Sequence, residues 1–372
     1  MKQYDVAVLG GGLLGRLTAW LLAEQGSKVV LFNAGNRNGE GSAAFAAAAM
    51  LAPTAEAVEA TPLVVQLGYT SLPIWRKWVD TFPTPVFMQQ NGSLIVWHPQ
   101  DRELAQQFTR DLQRAHQDSS RCQHWHSQQI DEQEPQLAGH FQQGLFLPTE
   151  GQLDNRQTLL ALADVLERRQ VTCYWERVSE PAECAKLAEW TLDCRGFGGK
   201  KSWNNQASSR LRGVRGEVLR IHAPDVTLHR PVRVLHPRYP IYIAPKQNHL
   251  FVIGATQIES EDDSPLSVRS GLELMSALHC VHPAFGEARI LESLAQLRPT
   301  LNHENPEIRY DAQNRLVAVN GLFRHGFMIS PTVSLATVRV MQALMQQQPL
   351  PDADARYHID VVPVSQNGES VK

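Results

Sequence analysis

The chain opens on a short apolar run cut off by glycines, followed by apolar positions at helical spacing. Tyr4-Asp5-Val6-Ala7-Val8-Leu9 is short, branched and bounded by Gly10, the pattern of a buried strand. Leu14, Leu17, Leu21 and Leu22 then fall on one helix face that closes at Gly26, and residues 28–32 read as a second strand. This predicts a β-α-β unit at the N-terminus. Amphipathic helices are predicted over residues 103–116 and 268–278. Tyr239, Ile241 and Ile243 alternate with Pro240, Tyr242 and Ala244, and a second apolar run covers residues 250–256. With Lys246-Gln247-Asn248-His249 as the turn, these two runs predict a β-hairpin, with Tyr242 on the face opposite its immediate neighbours.

The junction of the first strand and helix carries chemistry. Gly10-Gly11-Gly12-Leu13-Leu14-Gly15 is a G-x-G-x-x-G. Gly10 allows the tight turn off the strand, Gly12 lets backbone approach a pyrophosphate, and Gly15 lets helix and strand pack closely. The helix N-terminus offers free N–H groups to the phosphates. Between strand and helix the motif predicts a dinucleotide site. An Asp or Glu is expected at the end of the second strand to bind ribose hydroxyls, but this chain has Asn33, whose amide lacks a carboxylate's charge.

Composition narrows the class. The 372 residues suggest two to three domains. With 43% hydrophobic and 20% charged residues, extensive disorder is excluded. The 35 Lys and Arg against 38 Asp and Glu argue against a dedicated nucleic-acid binder. Cys122, Cys173, Cys184, Cys194 and Cys280 are scattered without a CxxC. That disfavours a disulfide scaffold or a thiolate zinc site and fits a cytoplasmic protein. Cys122-x-His124-x-His126 reads as solvated loop, so no metal is expected. No stretch is expected to span a membrane, and residues 2–9 do not read as a signal peptide.

The segment Gly41-Ser42-Ala43-Ala44-Phe45-Ala46-Ala47-Ala48-Ala49-Met50-Leu51-Ala52-Pro53 has side chains small enough to let backbone lie against a flat ring or a phosphate chain. Taken alone it reads equally well as an alanine-rich helix. Together with the N-terminal glycine motif it resembles the FAD-dependent D-amino-acid-oxidase-like family, most closely the glycine-oxidase branch that serves thiamine biosynthesis. Four later segments extend the resemblance collinearly to about residue 345. These are the loop Gly151-Gln152-Leu153-Asp154 with its following helix, the stretch 190–199, Gly213-Val214-Arg215-Gly216-Glu217, and Asn320-Gly321-Leu322-Phe323-Arg324-His325-Gly326-Phe327.

The resemblance implies an α/β fold: a Rossmann-like FAD-binding domain with a second domain of antiparallel β-sheet plus helices. Both domains are expected to be discontinuous. The FAD-binding domain takes residues 1–82, 145–212 and 299–350, the substrate domain takes 83–144 and 213–298, and 351–372 form a C-terminal tail. The implied FAD contacts in the turn are Gly10, Gly12, Leu13, Leu14 and Gly15, followed by Asn33 and Ala34. Ser42, Ala47, Ala48, Ala49 and Met50 follow in the small-residue segment, with Val178, Cys194 and Gly196 further on. Arg298, Arg324, His325, Gly326, Phe327 and Met328 complete the set.

The implied catalytic residues are Arg298, Tyr242 and Arg324, with Arg298 and Tyr242 gripping a substrate carboxylate. A guanidinium suits that role because it pairs a carboxylate through two parallel bonds. Three positions depart from the family: Ala49 replaces a glycine, Pro240 a histidine and Gln257 a methionine. The implied activity is oxidative deamination of glycine or a similar small amino acid, with hydride passing from Cα to flavin, an imine product, and O2 reduced to H2O2. One alternative is a D-amino-acid or secondary-amine dehydrogenase with another electron acceptor. The other is a flavin-binding subunit without turnover. Expected partners are the amino-acid substrate and O2, with no nucleic acid; hand-off to a thiazole synthase and homo-oligomer formation stay open.

Overall fold

The computed structural model describes residues 2–116, 118–205, 209–237, 240–350 and 358–364. Tyr239 of the expected hairpin lies outside the described residues. The apolar run at the N-terminus forms the strand Tyr4–Leu9, central in a seven-stranded sheet. Its neighbours, Val29–Phe32 and Ala188–Asp193, pair with it in parallel. Strands flanked by helices on both faces carry continuous apolar runs, and every residue of Val29–Phe32 is buried. The sheet continues through Thr172–Tyr174 on one side and through Leu316–Asn320, Glu307–Asp311 and Asp360–Pro363 on the other.

The last of these strands corrects an expectation. The stretch read as a C-terminal tail contains Asp360–Pro363, which pairs in parallel with Glu307–Asp311. Four residues have too little periodicity of their own to announce a strand whose partner lies fifty residues upstream.

An eight-stranded sheet runs in the order Arg289–Leu301, Leu211–His222, Leu250–Gly254, Ile241–Pro245, Val232–Leu235, Ser93–Trp97, Gln143–Leu147 and Gln123–His126. It is antiparallel except where Val232–Leu235 meets Ser93–Trp97. The expected hairpin is present, with Tyr242 opposite Gly254. Helix Val268–Val281 packs on this sheet. Gln123–His126 is an edge strand rather than a loop. It buries Trp125 and exposes His124 and His126, and no cluster among the described residues could hold a metal.

A small sheet of Met50–Leu51, Gly151–Leu153 and Met88–Gln89 ties the small-residue segment in place. Gly151–Leu153 is therefore a strand, not the expected loop. A side chain on Gly151 would lie 2.2 Å from the carbonyl oxygen of Gln89, so only glycine admits the pairing.

Helix Leu13–Glu24 packs against helix Gly326–Met345, which also meets helix Pro62–Val79. By length and composition alone, Phe323–Met345 is apolar enough to cross a membrane. However, 78% of its most apolar window is buried inside the protein, as befits a core helix.

Candidate active site

The glycine motif sits where strand Tyr4–Leu9 turns into helix Leu13–Glu24. Gly10 has φ +94°, a conformation that favours glycine, and Gly12 caps the helix without any side chain of its own. A Cβ on Gly15 would lie 1.8 Å from the Gly10 carbonyl oxygen. Gly15 is thus a packing residue, and it alone of the sequence-selected set does not line the cavity described below. Asn33 Oδ1 accepts from Gly11 N at 2.9 Å, and its Nδ2 donates to Gly35 O at 2.8 Å. Its amide therefore braces the turn while one edge faces the cavity.

The small-residue segment is neither a plain helix nor a plain loop. One helical turn, Ala43–Ala46, is capped by Ser42, and the chain then extends through Ala47. Ala49 has φ +53°, the left-handed region in which an alanine is disfavoured by about 1–2 kcal/mol. A glycine, which the resemblance implies at this position, would adopt that conformation without the cost.

Lys246 fixes the same segment from behind. Its Nζ donates to Ala48 O at 2.8 Å, Gln152 Oε1 at 2.8 Å and Leu153 O at 2.6 Å. Burial pushes its pKa down to about 7. Lys246→Met deprives three buried acceptors of their donor and is expected to destabilise the fold by about 2–4 kcal/mol. The pH dependence follows from the depressed pKa. Between pH 7 and the ordinary lysine pKa the unfolded chain binds a proton that the folded chain has released, so this group adds stability as pH rises. The variant lacks that slope, so its deficit relative to wild type should be larger at pH 9 than at pH 6 in denaturation curves. A deficit independent of pH would exclude a titrating Lys246.

A cavity of about 1360 Å³ joins these parts. It is lined by the glycine turn, Asn33 and Ala34, Ser42, Ala47 to Met50, and Val178, Cys194 and Gly196. Tyr242, Arg298 and residues 324–328 complete the sequence-selected lining. Val178 is 73% exposed at its rim. Asn320 Nδ2 donates to Gly196 O at 2.9 Å and holds that turn.

Arg298 lies on strand Arg289–Leu301 with Val214 as its cross-strand partner. Both terminal nitrogens donate to Thr256 O at 3.1 Å, and Nη1 reaches Arg215 O at 3.5 Å. A Cβ on Gly216 would fall 2.3 Å from Arg298 Cζ, which gives the Arg-Gly-Glu segment a physical reason: the guanidinium lies across that glycine. Glu217 holds the platform by accepting from Thr256 Oγ1 at 3.0 Å. Burial lowers the Arg298 pKa, and the nearby Tyr242 phenol opposes the shift. Burial raises the Tyr242 pKa, so at neutral pH the phenol is a hydrogen-bond donor.

Arg324 lines the same cavity but is already engaged. Its Nη2 lies 2.9 Å from Glu56 Oε2 and also pairs with Glu59, and its Nη1 donates to Gln257 Oε1 at 3.2 Å. Burial would lower its pKa, but Glu56 and Glu59 outweigh it and the pKa is raised. His325 Nδ1 is 3.4 Å from Glu56, and burial pushes its pKa down to about 4, leaving it neutral at pH 7.

Sequence reasoning missed Glu56, Glu59, Glu150 and Arg233, all of which line the cavity. Glu56 and Glu59 lie three residues apart, at and just after the end of a short helix, a pattern that reads as a solvated face. Glu150 is wholly buried, bonded to Ser93 Oγ and Ala55 N, and burial raises its pKa to about 7.

A mostly parallel sheet, a glycine turn at a helix N-terminus and a cavity lined from that turn to a half-buried arginine define a dinucleotide-dependent enzyme. The comparisons with known proteins narrow the class. Residues 5–339 match the model for the FAD-dependent oxidoreductases, DAO, and the chain belongs to that family. It is 35% identical over 357 residues to ThiO of Rhizobium etli, named as a thiamine biosynthesis oxidoreductase. The match covers 94% of this chain and 99% of that one.

Two solved structures share the fold. Glycine oxidase from Geobacillus kaustophilus superposes with TM-score 0.78 at 20% identity, covering 99% of this chain and 100% of that one. Iminodiacetate oxidase from Chelativorans sp. BNC1 gives 0.79 at 18%, covering 97% and 100%. The fold is thus a Rossmann-like FAD-binding part joined to an antiparallel sheet with helices, and the cofactor is FAD. The residues fit it: Gly12 leaves the space above the helix N-terminus open, its nearest neighbour being Ser42 Cβ at 3.9 Å from a built Cβ.

Proposed function

We propose that this protein oxidises glycine or a similar small amino acid to its imine, with O2 reduced to H2O2, and that it does so for the thiazole of thiamine. The observation that carries the reading is Arg298. It is a half-buried guanidinium whose hydrogen-bond partners among the described residues are backbone carbonyls, and it faces the cavity next to the Tyr242 phenol. A cation held on carbonyls at the wall of a cavity calls for an anion, and a planar one calls for a carboxylate. The relatives named as a thiamine biosynthesis oxidoreductase and a glycine oxidase support the same substrate class.

In this reading Arg298 takes the substrate carboxylate through two parallel bonds and Tyr242 donates a third. Bound FAD supplies the hydride acceptor. The glycine turn and the N-terminus of helix Leu13–Glu24 hold its pyrophosphate, Asn33 and Ala34 border its adenosine end, and Ala47 to Met50 with residues 324–328 border the flavin. Arg298 and Tyr242 fix where Cα lies, so catalysis rests on orientation. The amine must be neutral for hydride to leave.

The test is anaerobic reduction of the bound flavin by glycine, sarcosine, D-alanine, D-proline and L-alanine, followed by H2O2 measurement in air. Glycine or another small amino acid of the panel should bleach the flavin and yield one H2O2 per turnover. Bleaching without H2O2 would indicate a dehydrogenase with another acceptor. A flavin that none of them reduces would sink the assignment.

A further inference from the structure

Next to the Arg298–Tyr242 pair the cavity carries a ring of four charges. Glu59 pairs with Arg324, and its Oε1 lies 3.4 Å from Arg233 Nη2. Glu56 Oε2 lies 2.9 Å from Arg324 Nη2, and Glu56 Oε1 lies 4.0 Å from Arg233 Nη1. Each carboxylate thus sits between the two guanidiniums. Burial would raise the Glu56 pKa, but Arg324, His325 and Arg233 outweigh it and hold Glu56 ionised. The remaining groups that face the ring are the Arg298 guanidinium, the Tyr242 phenol, neutral His325, the Gln257 amide and Glu150. With two acids and two bases the ring carries no net charge, and Glu150 adds partial negative charge near pH 7.

We propose that Glu56 and Glu59 are specificity-determining residues: by cancelling Arg233 and Arg324 they restrict the site to substrates with a single carboxylate. Arg298 takes the first carboxylate. A second anionic group on the substrate nitrogen or side chain would otherwise find two guanidiniums in the same cavity. As the ring stands, such a group must displace a glutamate from an arginine or stay unpaired, and either outcome disfavours it. The proposal rests on the reading of Arg298 as the carboxylate clamp.

The experiment compares glycolate with diglycolate, which carries a second carboxymethyl group, as ligands of the FAD-loaded protein, read by perturbation of the flavin absorbance. The wild type should bind glycolate in preference. Glu59→Gln keeps the shape of a half-exposed side chain and leaves the ring one positive charge in excess. It should shift the diglycolate-to-glycolate affinity ratio toward diglycolate by about tenfold or more. Adding Arg324→Met should reverse the gain.

Glu56→Gln makes the same charge change by a second route and carries the test if Glu59→Gln fails to hold FAD. An unchanged ratio in the glutamine variants overturns the proposal. So does a gain that survives Arg324→Met. In turnover, the ratio of kcat/KM for iminodiacetate over glycine should rise in parallel. A wild type whose flavin no amino acid reduces would refute the assigned reaction, while the ligand affinities would still decide the role of the ring.

Discussion

Arg298→Met is expected to lower kcat/KM for glycine by about 10²–10⁴-fold, because it removes two charge-assisted bonds worth together about 3–5 kcal/mol. The bonds that now hold the guanidinium end on two backbone carbonyls, Arg215 O in strand Leu211–His222 and Thr256 O just after strand Leu250–Gly254. The fold therefore survives their loss, and bound FAD should stay near one per chain. Arg298→Lys should recover only part of the activity, since an ammonium cannot present two parallel donors. Gly216→Ala should resemble the loss of the arginine, because its Cβ would occupy the space of Cζ. The measurement is the rate of anaerobic flavin reduction against glycine concentration. Saturation of Arg298→Met at wild-type concentrations would remove Arg298 from the carboxylate site.

The second large effect is expected at the glycine turn. In Gly15→Val the new Cβ would start 1.8 Å from Gly10 O and 3.4 Å from Cys194 Cβ, so helix Leu13–Glu24 must move off the sheet. A destabilisation of about 3 kcal/mol or more is expected, together with loss of FAD from the purified protein. Gly12→Ala provides the contrast. Its nearest neighbour would lie 3.9 Å away, so stability should change by less than about 1 kcal/mol. FAD affinity should nonetheless fall, because the methyl group occupies the approach to the pyrophosphate. Flavin-to-protein ratio and denaturation midpoint together separate the two. If Gly12→Ala retained FAD at wild-type affinity, the pyrophosphate would not sit on this turn.

Much of this molecule is legible where a local pattern has a local cause. The first β-α-β unit follows from apolar runs buried on both faces and from glycines at a tight turn. The hairpin around Tyr242 follows from alternation. Other features depend on partners far along the chain. Lys246 occupies a hairpin end, where lysine is ordinarily solvated, yet it is buried because Ala48, Gln152 and Leu153 converge on it from other elements. Glu56 and Glu59 take their significance from Arg233 and Arg324, which lie more than 170 residues away. Arg298 was identifiable by family resemblance alone; the space that Gly216 leaves for it becomes visible only once strands 211–222 and 289–301 are paired.

The order of strands in the seven-stranded sheet bears on how the chain is made. Tyr4–Leu9 precedes its partners in the chain, but its neighbour on one side is Ala188–Asp193, and the sheet on that side ends at Asp360–Pro363. A nascent chain therefore carries this largely apolar strand, unpaired on that side, until Ala188–Asp193 has been synthesised. Sheets closed by such distant segments fold slowly and expose sticky intermediates. Overexpression is accordingly expected to give more soluble protein when translation is slowed by low temperature, with the apolar strand Tyr4–Leu9 as the segment to which a chaperone would bind.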